Sequence, residues 1–161
     1  PEIDFSMGMI DGIPSLISPA QRSQYNLPTF DGLKDTKFEL TTLTITEYNN
    51  ISKVNAEPIS TLTDPTLSNI GISVNKVYLF KTADGKKGLI AITSMTKRTG
   101  TIETANGEWV KDTEYYRVVI TTKVIAYTIQ KEIGHCFIAM SRFFFIYISV
   151  SQIMISFARI L

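Results

Sequence analysis

The stretch Val77-Tyr78-Leu79-Phe80-Lys81-Thr82-Ala83-Asp84-Gly85-Lys86-Lys87-Gly88-Leu89-Ile90-Ala91-Ile92 sets two apolar runs on either side of Asp84-Gly85. Asp-Gly tolerates the positive φ angles of a type I′ turn, so the stretch predicts an antiparallel hairpin with a two-residue loop. That loop places Phe80 opposite Leu89 and Val77 opposite Ile92. Opposed residues share a face. One face then carries Val77, Leu79, Ile90 and Ile92, and the other Tyr78, Phe80, Leu89 and Ala91. Both faces are apolar, so the hairpin is expected to be covered on both sides, as in the middle of a sandwich or under a helical cap. Lys81, Thr82, Lys86 and Lys87 make its turn end polar.

Working outward, residues 115–124 read as a further strand, with Tyr116, Val118, Ile120, Thr122 and Val124 inward. Between the two lies a more polar hairpin, 101–105 with 108–111 across Asn106-Gly107, which sets Thr104 opposite Trp109 and Glu103 opposite Val110. Upstream, 36–48 reads as a strand with a bulge or break near Thr41-Thr42. Thr63-Asp64-Pro65 predicts a capped short helix ending at Gly71. Residues 1–35 are rich in turn formers and read as a lead-in. They hold a short strand around Ile3 and Phe5 and a brief helix opened by Ser18-Pro19. The fold class is mostly β: an antiparallel meander or sandwich with one or two short helices and an apolar C-terminal tail. The domain reading is a lead-in at 1–35, a β domain at 36–124 and a tail at 125–161.

The chain changes character near residue 125. Up to residue 124 there are 13 basic and 14 acidic residues; beyond it there are 3 and 1, and nine of the 37 residues are isoleucine. Phe143 to Ala158 is an uncharged run of 16 residues between Arg142 and Arg159. Three readings stay open. As a helix the run is about 24 Å long, short of the roughly 30 Å hydrocarbon core unless the arginines snorkel. Alternation of Ile148 and Val150 with Ser149 and Ser151 suits a strand of the core. The abrupt loss of acids suits a non-native extension.

Composition excludes several classes. The 161 residues carry a net charge of +1, with 19% charged, which is no electrostatic footprint for nucleic acid. Cys136 is the sole cysteine, so no internal disulfide forms. His135 is the sole histidine and is adjacent to Cys136, so neither a Ser-His-Asp set nor zinc-site spacing exists. Gly85-Lys86-Lys87-Gly88 lacks the spacing of a phosphate-binding loop. Asp84, Glu103, Glu108, Asp112 and Glu114 lie near predicted turns, where acids are common, and they do not by themselves make a glycosidase pair. The expectation is no enzyme, no cofactor and no metal.

Trp109, Tyr115 and Tyr116 are the ligand-binding candidates. An aromatic on a polar hairpin can stack on a sugar or a partner, or can simply cover the edge of the core.

The run Asn75 to Ile90, with its Lys-Thr-Ala-Asp-Gly-Lys turn, resembles small Bacteroidetes-type exported lipoproteins, as do Ser18-Pro19-Ala20-Gln21-Arg22 and the strand ending at Lys123-Val124. The similarity covers residues 1–124. It implies a mostly-β, exported domain at the cell envelope or outer-membrane surface that binds or scaffolds a glycan or protein. Any signal or lipobox would lie upstream of Pro1. Membrane association would then come through that lipid anchor, or through 143–158 in the tail. A more distant similarity to HmuY-type haem-binding lipoproteins, in the theme of a Tyr/Phe strand, an Asp-Gly turn and a Lys strand, implies haem capture; it carries over no ligand residue, and by residue type alone the axial candidates are Met95, Tyr115, Tyr116 and His135.

Overall fold

A computed structural model describes residues 4–52, 56–103, 107–127 and 144–154. Eight strands form two antiparallel sheets. The first sheet contains β1 (Ser6–Ile10), β2 (Ile13–Ile17) and β4 (Asn69–Gly71), in the order β1-β2-β4. The second contains β3 (Thr36–Leu40), β5 (Val77–Thr82), β6 (Lys87–Glu103), β7 (Trp109–Tyr127) and β8 (Phe144–Met154), in the order β3-β5-β6-β7-β8. A 3₁₀ helix (Pro19–Tyr25) and two short helices, α1 (Ile45–Asn50) and α2 (Glu57–Ser60), complete the described elements.

The second sheet is buried on both faces, as its central hairpin predicts. Tyr78, Phe80, Ile90, Ile92, Val118 and Ile120 meet Met7 and Leu16 of the first sheet in one core. Val77, Leu79, Leu89, Ala91 and Ile125 meet Tyr48, Ile51, Ala56 and Ile59, from α1, α2 and their flanks, in a second. The expected inward set on β7 holds, with Tyr116 and Val124 packed beside Val118 and Ile120. β7 runs unbroken across the boundary expected at residue 124.

The register of the central hairpin differs by one residue from the expected one. Leu79 pairs with Leu89, Tyr78 with Ile90 and Phe80 with Gly88. Only Gly85 takes a positive φ, 83°, and Asp84 does not, so the type I′ turn does not form. Instead Gly85 N–H donates to Thr82 O at 2.9 Å, and Thr82 Oγ1 accepts from Lys86 N–H at 3.1 Å. This is a three-residue loop ending in a left-handed glycine. A shift of one residue exchanges the faces of one strand against the other. Val77 and Leu79 therefore lie with Leu89 and Ala91, and Tyr78 and Phe80 with Ile90 and Ile92.

Four other expectations are corrected. The strand expected over 36–48 ends at Leu40, because Thr44 and Glu47 form a reciprocal capping box that starts α1. The helix expected after Asp64 is absent: Leu67 bridges Phe38 in extended backbone and β4 follows. The lead-in contains the β1–β2 hairpin, closed by Asp11 and Gly12 at φ 50° and 79°. The separate strands expected at 87–96 and 101–105 are one, since polar residues continue the ladder through bulges at 92–94 and 100–102. The polar hairpin itself pairs Glu103 with Trp109, again one residue from the expected register.

Ser18 precedes the 3₁₀ helix as expected, but its hydroxyl does not cap it. It donates to Asp35 at 2.7 Å and accepts from Thr36 N–H at 2.9 Å, tying the lead-in to β3.

Asp64 neutralises a cross-strand pair of like charges. Lys81 and Lys87 face each other in the β5–β6 ladder, an arrangement that is repulsive alone. The Asp64 carboxylate accepts from Lys81 and, at 3.1 Å, pairs with the buried Lys87. Those hydrogen bonds hold Asp64 below its ordinary carboxylate range. Glu47 is lowered by the Thr44 backbone and hydroxyl. For Asp35, burial raises the value, and bonds from Lys37, Ser18 and Thr36 more than offset it. Depressed carboxylates stabilise the fold above their unfolded values and cease to do so as pH falls through the folded ones. Thermal melts should therefore lose stability below about pH 4. Asp64→Asn should flatten part of that dependence; an unchanged acid limb would contradict this role.

Candidate functional site: the projecting ribbon

β6 and β7 outrun their neighbours. β5 pairs with β6 only from Lys87 to Ala91. β8 pairs with β7 only from Arg117 to Tyr127. Beyond those limits, Lys97–Glu103 and Trp109–Tyr116 pair only with each other among the described strands. At about 3.3 Å per residue this two-stranded ribbon is roughly 25 Å long.

Its base is anchored on the first core by Met95 and Tyr116, both partly buried there. Farther out, Lys97 Nζ lies 2.7 Å from the Glu114 carboxylate on that same face. The opposite face follows from the register: Thr96 pairs with Arg117 and Arg98 with Tyr115, whereas Trp109 lies beyond the bulge at 100–102, which sets three residues of β7 against two of β6, and pairs with Glu103, in step with Lys97 and Thr99. Tyr115 leans across Gly100, where an added Cβ would lie 3.3 Å from its ring. Arg98, Lys111 and Trp109 are exposed, Trp109 at 68%.

The three candidate aromatics thus part company. Trp109 stands in solvent and covers no core edge. Tyr115 lies six residues away, about 20 Å along the strand, and the bulge between the two puts them out of step, Tyr115 opposite Arg98 and Trp109 opposite Glu103. Tyr116 points to the other side, into the first core. Arg98, Lys111 and Arg117 are the site residues that sequence reasoning did not single out. Their signal is the alternation of Tyr115 with Arg117 opposite Arg98 and Thr96, which the bulge at 100–102 interrupts before Trp109.

Elsewhere, a cleft of about 360 Å³ is lined by Thr41 to Thr46, Asn75 and Lys76. Thr44 on its wall is already engaged in the capping box with Glu47. Lys123 is buried on β7, and its ammonium donates to the carbonyls of Tyr48 (2.6 Å), Asn49 (3.1 Å) and Ile51 (2.5 Å). It also sits 4.6 Å from the centre of the Tyr48 ring. Burial lowers the Lys123 pKa and raises that of Tyr48, whose hydroxyl has only a weak contact with Thr121. This cation closes the C-terminal end of α1, its ammonium engaged by three carbonyls.

Among the described residues no three His, Cys, Asp or Glu side chains gather as a metal site. No described helix is long and apolar enough to cross a membrane. Within the run 143–158, residues 144–154 are strand β8 and not a helix. His135 and Cys136 lie outside the described residues, as does the Asn106 side of the second turn. Compared with known proteins, the chain matches no family model, no curated protein and no solved structure.

Proposed function

We propose that this chain is a non-enzymatic, exported binding module of the cell envelope that meets a glycan or protein ligand with the outward face of the β6–β7 ribbon. The observation that carries the reading is Trp109. A large aromatic held 68% exposed near the tip of a ribbon is available for stacking and contributes nothing to the core. A two-stranded ribbon is marginal in water without a third strand or a covering face, so a ligand that lies along it also steadies it.

Trp109→Ala tests this on a glycan array together with a panel of envelope proteins. The expected result is loss of the binding signal with an unchanged melting temperature. A variant that binds as the parent does, or one that unfolds, overturns the reading.

A further inference from the structure

We propose that the cleft between the β3–α1 connection and the start of β5 binds a single sugar ring carrying one acidic group, at a site separate from the ribbon and independent of its ligand. One wall is the run from Thr41 to Thr46, and the other is Asn75 with Lys76. Main-chain bonds fix both walls. Asn75 N–H donates to Ile92 O at 2.8 Å, and Lys76 O accepts from Ile92 N–H at 3.0 Å, which pins that wall to β6. On the other wall Thr41 N–H donates to Val77 O at 3.0 Å. The cleft is therefore shaped before a ligand arrives, which spares the cost of ordering it on binding.

Four polar side chains on those walls are left over. Thr41 spends its hydroxyl on Val77 O at 2.8 Å, and Thr44 spends its own on Glu47. Thr42, Thr46, Asn75 and Lys76 are exposed, and their side chains engage no partner among the described residues. Among the described lining residues Lys76 alone is charged. Glu47 is not one of them; its carboxylate accepts from Thr44 N–H and from the Thr44 hydroxyl, each at 2.8 Å.

The ligand class follows from what these groups can do. A hydroxyl or a carboxamide both donates and accepts, so it matches ligand groups that also do both, namely hydroxyls. An ammonium only donates, and its strongest partner is an anionic oxygen. Leu43 and Ile45, partly buried against the second core, add apolar surface for the C–H face of a ring. At about 360 Å³ the cleft lies near the lower end of small-molecule sites, about 300–1,000 Å³, so it takes one ring and not a chain. A small acid without hydroxyls would meet Lys76 and leave the other three side chains unused.

The test is calorimetric titration of the full chain with galacturonate, galactose 6-sulfate, galactose and acetate. One of the two acidic sugars should bind at least about tenfold more tightly than galactose or acetate, and which one binds tells carboxylate from sulfate. Lys76→Met should reduce that sugar to the level of galactose, and Thr46→Val should weaken both sugars about fivefold. Both residues are exposed, so neither variant should change the melting temperature. Galactose or acetate binding as tightly as the acidic sugars overturns the assignment. So does acidic-sugar binding that neither substitution alters, or no binding of either acidic sugar. The ribbon is read through Trp109 on other probes, so its reading stands or falls separately.

Discussion

Gly88→Val should cost about 4 kcal/mol and lower the melting temperature by about 10 °C or more, if the variant folds at all. Gly88 lies on β6 between β5 and β7, opposite Phe80 on one side and Val124 on the other. A Cβ there would stand 2.6 Å from the Lys123 carbonyl oxygen and 2.7 Å from the nearest Phe80 ring atom. Neither obstacle can retreat. The carbonyl belongs to the neighbouring strand, and the Phe80 ring is 1% exposed in the first core. The glycine is required for close approach, since its φ is not in the left-handed region. Gly100→Ala is the matched control on the same strand. Its Cβ would meet only the half-buried Tyr115 ring at 3.3 Å, so it should change stability by less than about 1 kcal/mol. Urea unfolding of the two variants separates close approach from generic strand propensity, and equal losses would contradict the packing described.

Lys123→Met should cost about 3 kcal/mol, although it replaces a buried charge with an apolar side chain of similar length. Burying an ammonium is costly, and its removal alone would help. Here, however, three carbonyls at the end of α1 depend on it. Methionine leaves the buried Ile51 carbonyl without that donor and Tyr48 O with only the Ile51 N–H at 3.2 Å. The loss should be local as well as global, with residues 43–52 becoming the first point of proteolytic cleavage. The pH dependence has a definite sign. Burial lowers the lysine below its ordinary 10.5 in the fold, so the unfolded chain binds the extra proton over the window between the two values. The charge-burial cost is fully present at neutral pH, and stability gained from its relief rises with pH through that window. The variant should lack that rise, and parallel pH curves would contradict the assignment.

The centre of the second sheet was legible because it is apolar on both faces and hinged on Asp84-Gly85. Its register was not, since Asp-Gly fits a type I′ turn as readily as a three-residue loop ending in Gly85. The Thr82 hydroxyl bond and the tether from Ala83 N–H to Asp35 O at 2.9 Å are tertiary facts. Asp11-Gly12 carries the same signal and closes β1–β2, yet Gly8 and Pro14 on its flanks disguise the strands. Thr44 and Glu47 are a capping box in plain sight, masked by the strand-like spacing of Leu43 and Ile45. The ribbon was hardest to read. From Ser94 to Gly100 one face is open and polar, so hydrophobic alternation does not mark the strand, and the bulges near Thr93 and Thr101 leave no compositional trace. For the same reason Trp109 could be identified as a candidate, but its separation from Tyr115 across the bulge could not.

Trp109 is the only tryptophan of the chain, so its fluorescence reports on the ribbon face without labelling. The most direct test is acrylamide quenching of that emission, with and without the glycan or envelope protein that binds in the array and panel. The account predicts the red-shifted emission of a water-exposed indole, readily quenched in the free protein, then shifted to the blue and shielded when that ligand is added. Blue emission that resists quenching in the free protein would show the indole already buried and would contradict the ribbon as the ligand-bearing face.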